Sequence, residues 1–208
     1  RDILFANERF HALVYDYDIT GEGDDKEVIY NNLFVGYSDD LSQWTWTSIS
    51  TDENEILALS ALTALAANQI AISSGSYSSR SLDHFYVSSD NGALWNKSAS
   101  PLSILNISDS MDTSTHSYSI NSLINHNGII YGKLTTSGEN GFSSENYFTT
   151  TDFTNFTFEF TASDSKLFTF NDSLYINAAA RNVSWINYRK IESAEIEERV
   201  ILNAEALV

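Results

Sequence analysis

Apolar residues along this chain come in short runs broken at asparagine, and the runs come in pairs. Ile3-Leu4-Phe5-Ala6-Asn7 leads to Phe10-His11-Ala12-Leu13-Val14-Tyr15, and Leu62-Thr63-Ala64-Leu65-Ala66-Ala67-Asn68 leads to Ile70-Ala71-Ile72. Ile120 to Leu123 and Ile124-Asn125-His126-Asn127-Gly128 lead to Ile129-Ile130-Tyr131, and Lys166-Leu167-Phe168-Thr169-Phe170-Asn171 leads to Leu174-Tyr175-Ile176. Each pair reads as strand, tight turn, strand. Asn suits the turn because it tolerates the left-handed region. Near-continuous hydrophobicity in both arms predicts a hairpin covered on both faces.

A second pattern recurs further out in each repeat. Phe85-Tyr86-Val87 runs into Ser88-Ser89-Asp90-Asn91-Gly92-Ala93-Leu94-Trp95, an S-x-D-x-G-x-x-W string. Its Ser and Asp can hydrogen-bond the turn's own backbone, Gly92 can take a positive φ, and Trp95 can fold back as a small local core. Two shorter versions follow the same plan: Ser38, Asp40 and Trp44 in one, and Thr150, Asp152 and Phe156 in the other. Three such turns, each entered from an aromatic strand, are evidence of a repeat.

These strings resemble the Asp-box of sialidases and related β-propellers, where the box joins the third and fourth strands of a blade. The resemblance implies an all-β propeller in which the boxes are structural and lie away from the catalytic centre. It divides residues 1–208, taken as one domain, into four blades of about 1–52, 53–109, 110–163 and 164–208. Such propellers usually close with six to eight blades, so four imply a small ring, an open arc or part of a larger propeller. The fourth blade lacks a box; Val183 to Tyr188 is expected as its third strand. Arg199 to Leu202 is expected as its last strand or the first of another blade. The apolar stretch Val200 to Val208 is expected to pair with the first blade, with a further blade or with another copy. Glu53 to Leu62 has helical propensity, but the repeat makes it a strand entry. Trp44 and Trp46, two apart, are expected on opposite faces of one strand.

Composition narrows the function. A formal charge of −17 and a pI near 4.3 argue against nucleic acid and against anionic lipid. No cysteine is present, which removes disulfides, thiol catalysis and Cys-ligated zinc. No apolar run reaches the length of a membrane span. The chain opens at Arg1 with neither Met nor signal peptide, as expected of a processed product or a fragment. The sequons at Asn96, Asn106, Asn155, Asn171 and Asn182 match what an Asn-, Ser- and Thr-rich chain yields by chance.

Catalytic residues are not found. The resemblance calls for an arginine triad, a Tyr/Glu nucleophile pair, an acidic proton donor and an Arg-Ile-Pro-like motif. The single proline, Pro101, follows Ser100, and arginines 1, 9, 80, 181, 189 and 199 have no recognisable context. Histidines 11, 84, 116 and 126 form no zinc spacing, and His11 and His126 are read as satisfied strand residues. Asp16, Asp18, Thr20, Glu22, Asp24 and Glu27, with Gly21 at the sixth position, have the spacing of a calcium loop, with a solvated acidic hairpin tip as the alternative. The expected role is a non-catalytic binding or structural module of an exposed assembly, at a cell surface, secreted or on a virion. Its expected partner is a protein, another copy of the chain or a glycan. The competing class is a sialidase-like glycoside hydrolase.

Overall fold

Residues 2–74, 82–104, 116–138, 143–161, 165–178, 185–190 and 199–203 are described by the computed structural model. The described strands form four antiparallel sheets of four, each in simple sequential order. The first holds β1 (Asp2–Ala6), β2 (Arg9–Thr20), β3 (Glu27–Ser38) and β4 (Thr45–Ser50). The second holds β5 (Leu59–Ala66), β6 (Gln69–Ser74), β7 (Tyr86–Ser88) and β8 (Asn96–Lys97). The third holds β9 (His116–His126), β10 (Ile129–Gly138), β11 (Ser143–Thr150) and β12 (Thr157–Thr161). The fourth holds β13 (Ser165–Phe170), β14 (Ser173–Ala178), β15 (Trp185–Lys190) and β16 (Arg199–Asn203).

All four asparagine-broken pairs are inner hairpins. Their turns put Asn7, Asn68, Asn127 and Asn171 at φ of 53°, 62°, 54° and 47°, the region asparagine tolerates at least cost. The inner strands then lie side by side, β1 by β5, β5 by β9 and β9 by β13. Side chains fill the gaps between sheets. Leu13, Leu33 and Val35 of the first sheet meet Leu62, Ile70 and Ile72 of the second. Ala71 and Val87 of the second meet Ile120, Leu123, Ile130 and Phe148 of the third. Successive residues of β6 therefore serve opposite neighbours, as the two-residue period of a strand requires.

Three expectations are corrected. Glu53–Ala58 is a short helix, α1, not a strand entry. Asp52 caps it, accepting from the amides of Asn54 and Glu55 at 2.8 and 3.2 Å, with Glu53 and Glu55 in the first turn, so local propensity wins over the repeat. Trp44 and Trp46 do not face opposite sides; their rings stack with centroids 5.3 Å apart. Trp44 precedes β4 and belongs to the turn, so strand alternation does not govern it, while Trp46 covers Gly36, where a Cβ would run into the indole. The described part of Val200 to Val208 does not pair with the first sheet: Arg199–Asn203 is the outer strand of the fourth sheet, the first of the two places expected for Arg199 to Leu202, with Trp185 opposite Asn203. Residues 204–208 lie outside the described set, as do Arg1, Arg80, Arg181, Asn106 and Asn182.

Candidate functional site

The three S/T-x-D turns share one hydrogen-bond plan. Ser88 Oγ donates to Asp90 Oδ1 at 2.8 Å and accepts from Gly92 N at 2.8 Å, while Asp90 Oδ1 accepts from Leu94 N at 2.8 Å. Ser38 accepts from Leu41 N at 2.9 Å and Asp40 from Ser42 N at 2.9 Å. Thr150 accepts from Phe153 N at 3.0 Å and Asp152 from Asn155 N at 2.8 Å. The longer version puts two residues, Asn91 and Gly92, at positive φ; the shorter ones put only Leu41 or Phe153 there. That accounts for the missing glycine and the one-residue difference in the aromatic's place. The indoles donate to the carbonyl three residues back, Trp95 to Gly92 and Trp44 to Leu41, at 3.0 and 3.3 Å. Phe156 has no such donor and packs edge-on against Phe148 and Phe85. Turn amides lower the Asp40, Asp90 and Asp152 carboxyls from their ordinary value, furthest at Asp152, where Asn155 is prominent.

These turns lie at the same end of the molecule as the inner hairpin turns. Asn91 N donates to the Asn68 carbonyl at 2.8 Å, and Asn7 Nδ2 lies 3.4 Å from Asn91 Oδ1. His11 is buried beneath them, and a Cβ on Gly92 would sit 3.0 Å from its Nδ1. Neither ring nitrogen of His11 meets a partner at hydrogen-bonding geometry. The sequence expectation of a satisfied strand residue fails there. His126, by contrast, has Asn127 Nδ2 3.2 Å from Nε2.

An open cavity of about 560 Å3 lies at this end, between the inner turns of the third and fourth sheets. Asn125, His126 and Asn127 line one side; Thr169, Phe170, Asn171 and Asp172 line the other. Asn127, Asn171 and Asp172 sit at φ of 54°, 47° and 56°, so tight turns fix their backbones. Asn125 is itself held, accepting from Gly128 N at 3.1 Å. No single motif marked these residues; the turns that carry them did.

At the other end, α1 anchors a polar network that sequence reading missed. Glu55 Oε2 accepts from the Tyr86 hydroxyl at 2.9 Å and Oε1 from Lys97 Nζ at 2.9 Å. His84 lies between two carboxylates, Nε2 3.0 Å from Glu55 Oε1 and Nδ1 3.1 Å from Asp83 Oδ1. The Glu55 contact has ion-pair distance without hydrogen-bond alignment. Burial, together with the Glu55 carboxylate, drives the Tyr86 phenol above its ordinary range. Burial opposes ionisation of Glu55, but Lys97, Ser50 and Tyr86 outweigh it and the carboxyl shifts down; His84 and Ser100 do the same for Asp83. Residues 31 apart in sequence meet here because α1 folds back on the second sheet.

The six acidic-loop residues do not form a loop. Asp16, Asp18 and Thr20 are on β2 opposite Asn32, Ile29 and Glu27, leaving Glu22 and Asp24 in the hairpin tip. Asp18 accepts from Asn31 Nδ2 at 3.0 Å. Among the described residues, no three acidic or histidine side chains converge on a metal position. Beside this hairpin, Tyr15, Tyr17 and Tyr30 form an aromatic cluster with centroids 5.1 to 6.3 Å apart. Arg9 pairs with Asp39 at 2.7 Å and lies over the Tyr37 ring.

Four stacked antiparallel sheets with adjoining inner strands find their match among solved structures. The sialidase of Trypanosoma rangeli, in complex with 2,3-difluorosialic acid as a covalent intermediate, is similar over 96% of this chain with a TM-score of 0.54 and 16% identity. The fold is of the sialidase-type β-propeller kind. This chain spans 36% of that sialidase. A family 117 glycoside hydrolase of the marine bacterium Zobellia galactanivorans matches 96% of this chain and 68% of its own, at 10% identity and a TM-score of 0.48. An α-L-arabinofuranosidase of Clostridium thermocellum matches 96% and 92% at 12% identity and 0.30. No family model matches the sequence. No curated protein matches it.

Proposed function

We propose that this chain is a carbohydrate-recognising propeller unit whose S/T-x-D turns are structural Asp-boxes and whose ligand groove lies between the inner turns of the third and fourth sheets. The observation that carries the reading is the cavity of about 560 Å3, a volume within the range of small-ligand sites. Its rim offers the amides of Asn125, Asn127 and Asn171, the His126 imidazole, the Asp172 carboxylate and the Phe170 ring. Amides and a carboxylate can exchange paired hydrogen bonds with sugar hydroxyls, and a ring edge or face suits the apolar side of a pyranose. The net charge of −17 favours a neutral sugar over an anionic one. Calorimetry with a panel of neutral oligosaccharides tests it. Asn127→Gly combined with Asp172→Gly, which removes both side chains and keeps the positive φ of the two turns, should weaken binding about tenfold, the equivalent of ~1.4 kcal/mol, with the melting temperature held. Unchanged affinity in that variant rejects the groove.

A second reading, a glycoside hydrolase, is favoured by the hydrogen-bonded Tyr86 and Glu55 and by the trypanosomal sialidase that the chain resembles in fold. Against it, Glu55 and Asp83 beside Tyr86 shift down, away from the protonated form that a general acid needs near neutral pH. Release of reducing sugar by the wild type, abolished in Tyr86→Phe, decides for the hydrolase.

A further inference from the structure

The hairpin of β2 and β3 outruns the sheet it belongs to. β4 pairs with β3 only between Tyr37 and Leu33, and the last pair is Leu33 with Ser50. The chain leaves the edge there because Asp52 caps α1, whose Ile56 is buried in one core with Leu33. The rest of β3, Glu27 to Asn32, pairs with β2 alone, so among the described residues its outer edge carries no strand. A turn inside the chain leaves this edge open. A two-stranded ribbon is marginal in water, and an open edge is a template for one more strand.

The two faces of the ribbon differ in chemistry. Tyr17, Ile19, Val28 and Tyr30 share one, the face that the first sheet turns toward the second through Leu13 and Leu33. Cover from the second sheet ends before the ribbon does: Tyr17 is 50% exposed, Ile19 57% and Val28 42%. Asp16, Asp18, Thr20 and Glu27 share the other face with Ile29. Between Asp16 and Glu27 stand six carboxylates and one lysine, Lys26. A strand added at this edge sets alternate residues beside Val28 and Tyr30, where apolar side chains fit. The residues between them fall beside Glu27 and Ile29, one strand away from Asp18, where Lys or Arg fits.

From this we infer that the outer edge of β3, Glu27 to Asn32, binds an extended segment of a basic partner protein in which apolar residues alternate with lysine or arginine. Backbone hydrogen bonds supply the pairing, the tyrosine face holds the apolar residues, and the carboxylates fix the face that the cations take. Charge selects the occupant. A second copy would bring its own six carboxylates to the same edge, on a chain of net charge −17, and like-charge repulsion opposes that pairing. The edge lies at the far end of β2 from its inner turn, and the inference goes beyond the carbohydrate reading.

A synthetic peptide alternating valine and lysine, titrated into the full chain, tests it by calorimetry and backbone amide exchange. Binding should be saturable and should slow the exchange of amides within Glu27–Asn32. A peptide alternating valine and glutamate should not bind. The lysine peptide N-methylated at every residue should lose both the affinity and the slowing, because it cannot donate to the edge. Asp18→Asn combined with Glu27→Gln should weaken the lysine peptide about tenfold with circular dichroism unchanged. No saturable binding of the lysine peptide overturns the inference, and so does equal affinity for the N-methylated peptide, for the glutamate peptide or in the double variant. Slowing of the same amides as protein concentration rises without peptide would give the edge to a second copy and overturn the basic partner.

Discussion

His11 is buried with no aligned partner for either ring nitrogen, so the folded protein holds it neutral. Burial lowers its pKa from 6.5, against smaller raising effects of the Ala6 carbonyl and Asn91, with Arg9 lowering it further. Below pH 6.5 the unfolded chain takes up this proton before the folded one does, so stability falls as pH drops from 6.5 toward the folded value. The carboxyls act in a lower window. Asp40, Asp83, Asp90 and Asp152 lie below their ordinary 3.8 and Glu55 below 4.5, so their stabilisation is present above those values and is lost as pH falls beneath them. Melting curves between neutral pH and about pH 5 should therefore show a loss that His11→Leu largely removes; an equal loss in that variant would place the titration elsewhere. In the second box the balance falls on Ser88 more than on Asp90. Ser88 is fully buried and satisfies the buried Gly92 amide, whereas Asp90 serves the exposed Leu94 amide. Ser88→Ala should cost about 1–3 kcal/mol and Asp90→Ala about 1 kcal/mol or less, by urea denaturation.

The inner hairpins and the box turns were legible because their signals are local: asparagine at a left-handed turn, and Ser or Thr two residues before Asp. Helix α1 is equally local in signal, with Asp52 before Glu53 and Glu55, but the repeat period points to a strand entry at the same residues. The calcium-loop spacing is ambiguous in sequence because Asp16, Asp18 and Thr20 recur every second residue, the period of a strand as well as of a ligand loop, and the structure puts all three on β2. Gly132 shows a constraint that no spacing reveals. It pairs with Phe148 across the third sheet, and a Cβ there would run into the Phe148 ring and Leu123. Gly132→Ala should destabilise by about 1–3 kcal/mol through overpacking at the junction of the second and third sheets. Stability equal to wild type would mean that junction yields more readily than its packing indicates.

Across the whole molecule, the repeat predicted four units and the described strands form four four-stranded sheets. What sequence could not supply was contact between segments distant along the chain. The Glu55 network joins residues far apart along the chain, and the groove between the third and fourth sheets is lined by two turns more than 40 positions apart. The two ends of the molecule thus divide the possible chemistry: a network closed by its own hydrogen bonds beside α1, and an open polar groove at the box end. Mapping backbone amide shifts while a neutral oligosaccharide is titrated into the protein separates them directly. Recognition in the groove predicts saturable shifts concentrated at Asn125–Gly128 and Thr169–Asp172. Shifts concentrated instead at Glu55, Asp83, His84, Tyr86 and Lys97 would contradict it.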